Sequence, residues 1–337
     1  MRIEIITSPN NQLKETGFGA HLACDNVMQS IQQMGHSVSI TSCSTHGELR
    51  AVVKRKPDLV VLAAKYMLIK GDSNIWFSEY FEKNKITYSG SSRATLKYDS
   101  DKVLAKSHLE KIGIRTADFF TATPNQYKSE SEFPFLFPFF LKPADAANGN
   151  GIDDLSFVNT FKEFESKVLS LFELYNAPIL VEEYLSGSEF TVAIMESSSG
   201  EMTVSAIDVI APESADGLRI LGSIVKKLDT EEFKKIDINT IRKVKDLAVS
   251  AFYGLGARGF GRIDIKMDKD GQCFFMEANL LPGMNFGSSY FPKACEIADG
   301  ISYDEVVRLM LNECLERVPN EKSLNKTLKA DAESCAA

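Results

Sequence analysis

Residues 258–283 read R-G-F-G-R-I-D-I-K-M-D-K-D-G-Q-C-F-F-M-E-A-N-L-L-P-G. Residues 261–267 and 272–280 have strand character. Asp270-Gly271 between them signals a two-residue hairpin turn, because a type I′ turn needs positive φ at both central positions. Counting outward from that turn sets Asp264 opposite Glu277 and Arg262 opposite Asn279. All four lie on one face, since side chains alternate along a strand. The opposite face carries Ile263, Ile265, Met276 and Ala278, which is core material. Facing carboxylates repel, so the pattern asks for a cation between them. Two carboxylates and the Asn279 amide are hard oxygen ligands suited to Mg²⁺, which keeps part of its water and takes further ligands from phosphates. Arg262 beside them suits an anion or a developing negative charge. Each charge alone reads as part of a solvated hairpin face; the four together, running into a Pro-Gly turn, read as a site.

The chain of 337 residues exceeds the size at which one core keeps growing, so two or three domains are expected. Charged residues make up 25% and the net charge is −8, which gives no basic footprint for nucleic acid. An anionic nucleotide must therefore be held by local charge. No apolar run is long enough to cross a membrane, and the start, Met-Arg-Ile-Glu-Ile-Ile, reads as a first strand, not a signal peptide. The expectation is a cytoplasmic protein with no membrane partner. The six cysteines are scattered, with no metal spacing, and read as reduced buried thiols.

Strand and helix alternate over residues 1–92, with strands at 3–6, 38–41, 59–63 and 87–88 and helices at 20–34, 48–54 and 74–84; this is a parallel α/β unit. The long loop 7–19 follows the carboxyl end of the first strand, a common place for a ligand. A helix is expected over 99–111 with Asp99 or Ser100 as its cap. Residues 121–134 read as a polar loop. An apolar strand over 135–142 ends in Lys142-Pro143 and runs into the small loop 144–151, which includes Asn148 and Gly149 and could cradle phosphate on its backbone N–H groups. Then come a helix over 161–174, strands at 179–182, 190–195 and 202–210, a polar segment 211–235 that reads as a lid, and helices at 238–254 and 302–316. The end, 319–337, is expected to be disordered.

Lys102 in D-S-D-K-V-L-A-K, Lys142 in F-L-K-P, then E-E-Y-L-S-G-S-E-F-T-V, G-R-I-D and M-E-A-N-L-L-P-G-M stand in the order and spacing of ATP-grasp ligases. Within that superfamily the chain resembles the D-alanine–D-alanine ligases, from about Tyr88 to Leu315. The resemblance implies three domains: an N-terminal parallel α/β (preATP-grasp) domain at 1–95, and two α+β domains at 96–185 and 186–318 that clamp ATP. It implies an ATP-dependent ligase in which a carboxylate attacks the γ-phosphate. The acyl phosphate is then taken by an amine to form an amide, with release of ADP and phosphate. Position by position, Lys102, Lys142, Asn148 and Gly149 would meet phosphates. Glu182, Glu183, Tyr184, Leu185 and Met276 would line the adenine, and Glu189 would hold the ribose. Asp264, Glu277 and Asn279 would hold two Mg²⁺, while Arg262 and the Gly283 backbone would stabilise the tetrahedral intermediate. Only one of the adjacent Glu182 and Glu183 can face a pocket from a strand, and the resemblance selects Glu182. It implies small-molecule amino-acid or carboxylate substrates and admits a homodimer.

The departures fall on the amino-acid side. Loop 7–19 is about ten residues longer than the family's Gly-Gly-x-Ser-x-Glu turn, and neither Glu15 nor His21 stands in register with its acid. Asn148 replaces a substrate-contacting serine. The lid carries Arg219, Lys226 and Lys227 where the family has a Lys-Tyr pair, and residues 209–240 hold no tyrosine. The loop after Met284 is one residue longer. Candidate substrate contacts are Glu15, His21, Arg219, Lys226, Asn285, Ser288 and Ser289, with a preferred pair other than two D-alanines expected. The alternatives are ligation of other amino acids, or of amine or hydroxyl acceptors, in a specialised pathway, and a nucleotide-binding protein without catalysis. Arg262 disfavours the last, since binding alone needs no arginine at a transition state.

Overall fold

In the computed structural model, residues 1–9, 17–18, 21–69, 73–146 and 149–318 are described. The N-terminal unit is a parallel sheet in the order Ser37–Ser42, Arg2–Thr7, Leu59–Leu62, with Tyr88 bridging to Val60 at the edge. Helix His21–Gln33 packs on it, and helix His46–Arg55 starts from a Thr45/Glu48 capping box. A small antiparallel pair, Tyr66–Met67 with Ile75–Trp76, precedes a shorter helix than expected, Phe77–Lys83.

Two antiparallel sheets form the rest. One has the order Phe119–Ala122, Ile179–Glu183, Phe139–Pro143, Phe157–Val158. It buries its own small core around Phe139, Phe164, Val181 and Leu171 under helix Phe161–Tyr175. The other has the order Glu232–Lys235, Met202–Ile210, Glu189–Glu196, Phe260–Met267, Cys273–Asn279, and its core is continuous with that of the N-terminal unit. The described cysteines, Cys24, Cys43, Cys273, Cys295 and Cys314, are free and buried.

Several expectations need correction. The polar stretch 121–134 hides the end of a strand, because Phe119–Ala122 pairs with Ile179–Glu183 and its neighbours Tyr127 and Phe133 stack on Phe120. The expected helix 99–111 is two helices, Arg93–Ser100 and Lys102–Lys111. Asp101 breaks it: its backbone is extended and its side chain caps the second helix through the Leu104 N–H at 2.9 Å. The lid contains a short helix, Ser223–Leu228, and the edge strand Glu232–Lys235, and a helix not foreseen, Tyr290–Asp299, follows the Pro-Gly turn.

The hairpin reaches the expected pairing by a different route. Its turn holds residues 269–271, three rather than two, closed by the Asp268 N–H donating to the Gln272 carbonyl at 3.0 Å. Gly271 sits at φ +72°, where a side chain would be strained. A bulge then absorbs the extra residue: Ile265 faces Phe275 while Asp264 faces Glu277. The two departures cancel, so Arg262 opposes Asn279 and Asp264 opposes Glu277 as counted. Met276 is the bulged residue; it leaves the core face, is half-buried, and lines a cleft instead.

A buried ion pair ties these units together. Lys65 and Asp99 meet at 2.8 Å with side chains essentially inaccessible. The second oxygen of Asp99 accepts the N–H groups of Leu280 and Leu281 at 2.7 and 3.1 Å. Asp99 thus fixes the chain exactly where it leaves the hairpin. Replacing Asp99 with Ala strands a buried ammonium and two backbone donors, and a loss of about 3–5 kcal/mol is expected. Urea unfolding of Asp99→Ala against wild type checks this; a midpoint within error of wild type contradicts it.

Candidate active site

The four hairpin groups converge at the junction of the sheets. The Asp264 carboxylate accepts from Arg262 Nε at 2.9 Å and Nη2 at 2.8 Å, from the Thr191 hydroxyl, and from Asn279 Nδ2 at 3.2 Å. Glu277 lies 3.2 Å from Lys102 Nζ and 4.0 Å from Arg262. Lys102 and Arg262 thus bring positive charge to the opposed carboxylates. Burial pushes the Asp264 carboxyl up, Arg262 opposes this, and the Glu277 charge adds to it. Burial also pushes Glu277 up, but the joint field of Lys102, Lys226, Lys142 and Arg262 overrides it and holds this carboxyl well below the usual range. Among the described residues no three His, Cys, Asp or Glu side chains converge. The oxygens present, Asp264, Glu277 and the Asn279 amide, fit a hard cation that draws its other ligands from phosphates and water.

On one side of this junction lies a cleft walled by Phe140, Tyr184, Leu185, Val209, Ile220 and Met276, with Lys142, Glu182, Glu183 and Glu189 on it. The apolar walls suit a flat heterocycle. Glu182 is only 1% exposed, and its two oxygens are each 2.6 Å from an ammonium, Lys106 on one side and Lys142 on the other. Its carboxylate is thus paired with a lysine at each oxygen. Contrary to the expectation that only one of the adjacent pair faces a pocket, Glu183 also borders the cleft, where it accepts the Asp118 N–H at 3.1 Å. Glu189 pairs with Lys266 at 3.0 Å. Lys106 and Lys266 were missed in the sequence. A signal for Lys106 existed, since it stands four residues after Lys102 on the same helix face; Lys266 alternates onto the Asp264 face of its own strand and could have been read from that.

On the other side is a cavity of about 720 Å³, wide enough for small substrates beside phosphates. It is lined by Lys102, Arg262, Glu277, Asn279 and Gly283 from the core, by Asn285, Ser288 and Ser289 from the turn, and by Lys226, Lys227 and Asp229 from the lid. A Cβ at Gly283 would stand 2.9 Å from Ser289 Oγ, so a side chain there would displace that hydroxyl. Ser289 Oγ in turn accepts the Asn285 N–H at 2.8 Å. Phe18 accepts the Met284 N–H at 3.1 Å, which ties this residue to the turn.

The remaining expected residues divide. Arg219 lines the apolar-walled cleft, not the cavity, and pairs with Glu213 at 2.8 Å. Lys226 lines both spaces. His21 stands exposed at the start of its helix, 3.2 Å from Asp25, and lines neither. Glu15 and Asn148 lie outside the described residues. Gly149 approaches the lid so closely that a Cβ would be 3.0 Å from the Gly222 carbonyl carbon, and the Ser223 N–H donates to the Ile152 carbonyl at 3.3 Å. The loop after Lys142 and the lid are thus in backbone contact over the junction.

The family model described as D-ala D-ala ligase C-terminus matches residues 108–312. The D-alanine–D-alanine ligase of Hydrogenovibrio crunogenus is 24% identical over 229 residues, 67% of this chain and 69% of that protein. That of Acetivibrio thermocellus is 27% identical over 249 residues, 70% of this chain and 63% of that protein. The chain thus matches about two thirds of the length of these ligases. In fold it is similar to the Bacillus anthracis D-alanine–D-alanine ligase solved with ATP, at a TM-score of 0.72 and 21% identity, covering 94% of this chain and 98% of that one.

The Glu182 triad carries a pH prediction. Burial pushes its carboxyl up, but Lys106 and Lys142 outweigh this, and its folded value lies below the ordinary 4.5. A depressed carboxylate stabilises the fold above its unfolded value, and that contribution is lost as pH falls through the folded one. Glu182→Gln should cost about 3–5 kcal/mol at neutral pH by stranding two buried ammonium groups. Its deficit against wild type should shrink as urea unfolding is repeated at pH values progressively below 4.5. A deficit independent of pH contradicts the assignment.

Proposed function

Because the chain belongs to the family defined by the C-terminal domain of the D-alanine–D-alanine ligases, we propose that it is an ATP-dependent ligase that joins a carboxylate to an amine through an acyl phosphate, releasing ADP and phosphate. The observation that carries the reading is the junction itself. Arg262, Asp264, Glu277, Asn279 and Lys102 stand between an apolar cleft that suits a nucleotide base and a wider polar cavity.

The chemistry asks mainly for placement and charge neutralisation. Asp264, Glu277 and Asn279 would hold Mg²⁺, two ions in this reading, which neutralises phosphate oxygens when bound. Lys142 and Lys102 add positive charge from the cleft and from the helix start. Lys102 also donates to the Ala146 carbonyl at 3.0 Å, which ties it to the loop after Lys142. Once the substrate carboxylate has attacked the γ-phosphorus, an acyl phosphate stands in the cavity. Arg262 and the Gly283 N–H meet the oxyanion that forms when the amine adds, and phosphate then leaves as the amide closes. The lid, in contact with the loop at Gly149, keeps water from the acyl phosphate.

D-alanine is the reference substrate on both sides of the bond. A second reading, a ligase for another amino-acid pair, is favoured by the cavity wall, where the lid presents Lys227 and Asp229 and where His21 takes no part. Partner groups of different charge change the preferred ligand.

An ADP-release screen over D- and L-amino acids, singly and in pairs, with product mass, tests both. The ligase reading expects a dipeptide-mass product that depends on Mg²⁺, and Glu277→Gln should lower turnover about a hundred-fold or more while the fold persists. A fully active Glu277→Gln protein sinks the mechanism. The highest kcat/KM with D-alanine pairs removes the second reading.

A further inference from the structure

The lid of this chain lacks any tyrosine, yet the wall between cleft and cavity is one: Tyr290 lines both spaces. It stands at the start of the helix Tyr290–Asp299, directly after Ser289. Its hydroxyl donates to Glu231 Oε1, in the lid between helix Ser223–Leu228 and strand Glu232–Lys235. Over its ring stand two cations, Lys226 Nζ from the lid at 5.7 Å and Arg262 from the hairpin at 5.6 Å. Phe233, the second residue of the edge strand, packs edge-on against it at 5.1 Å.

We propose that Tyr290 is a positioning residue that latches the lid over the reacting centre, its hydroxyl holding Glu231 and its ring seating Lys226 and Arg262 together. The latch deepens the ligase reading and rests on it for the roles of those two cations. The Glu231 side supports it independently. Glu231 is 7% exposed, and its other oxygen, Oε2, has no hydrogen-bond partner among the described residues. A carboxylate buried with so few donors is costly, and the Tyr290 hydroxyl is what satisfies it. The ring adds to this, since its quadrupole attracts cations to its face and both Lys226 and Arg262 stand within reach of it. Burial first, and the Glu231 hydrogen bond next, push the Tyr290 hydroxyl far up, so it stays a neutral donor and cannot serve as a base. Tyr290 therefore acts through what it holds. An open lid would carry Lys226 away from Glu277 and leave Arg262 without one wall of its seat.

The test measures hydrogen exchange of residues 211–235 in the apo full-length chain, alongside steady-state ADP release. Tyr290→Phe removes only the hydroxyl. It should keep the thermal midpoint, lower lid protection by about ten-fold or more, and lower kcat more than it raises the KM for ATP. Tyr290→Leu, which also removes the ring, should fall further. Glu231→Gln keeps an acceptor for the hydroxyl and should retain most of the protection and turnover. A Tyr290→Phe lid protected as in wild type overturns the latch. So does a Tyr290→Phe protein that loses turnover with lid protection intact, which makes the tyrosine a direct substrate contact. If the Tyr290 variants do not fold, Glu231→Leu takes their place, with lost protection expected and wild-type protection overturning the proposal. Hydrogen exchange needs no turnover. An inactive wild type would therefore sink the ligase reading alone, and an active one with an unchanged variant lid would sink the latch alone.

Discussion

The rest of the structure depends on the repulsion between Asp264 and Glu277, held face to face on one hairpin. Two facing carboxylates, Asp264 buried and Glu277 half-buried, repel at that spacing unless positive charge is brought to them. The fold brings it from four directions: Arg262 on the same strand, Lys102 from a helix start, Lys142 from the end of another sheet, and Lys226 from the lid. The neutralisation of one acid pair thus draws three separate parts of the chain to one point. That point is also where a nucleotide's phosphates and a substrate carboxylate would have to meet.

The same logic recurs behind the site. Lys65–Asp99 holds the exit from the hairpin, and Lys106–Glu182–Lys142 holds the strand that walls the cleft. Well-packed apolar residues in such places would serve net stability at least as well. What buried ion pairs add is placement: each charge has few positions in which it is satisfied, so the backbone it rides on is located closely. Lys142 shows the double duty. It neutralises Glu182 at 2.6 Å and still lines the cleft, so the strand end that would face phosphate is located by the ion pair before any ligand arrives.

Placement also separates the two walls of the reacting space. The apolar-walled cleft is built on sheet strands and helix starts with fixed partners. The polar cavity is built from the turn after Met284, the end of a long loop, and a lid that carries exposed charges at Lys227 and Asp229. Elements held by few buried contacts tolerate change and move more readily. A family can therefore keep the phosphate chemistry while the substrate side varies.

The chain by itself determined the hairpin, its acid face, and the order of the strands that carry Lys142, Glu182 and Glu189. Those follow from short-range alternation, turn chemistry and motif spacing, which are local properties of a sequence. Even so, the pairing of Asp264 with Glu277 was counted through a two-residue turn that is in fact three residues long, and it came out right because a bulge at Met276 returned the lost residue. Only the tertiary structure decided the rest. Lys106 reaches Glu182 across two elements, Asp99 reaches the hairpin exit 181 residues away, Arg219 turns to the cleft, and His21 turns to solvent. Tyr290, outside the lid, donates its hydroxyl to Glu231 within it. Such contacts join residues far apart in the chain, and nothing in local periodicity encodes which distant charge will satisfy a buried one. That choice is made when the sheets close on each other and each buried ion must find its partner.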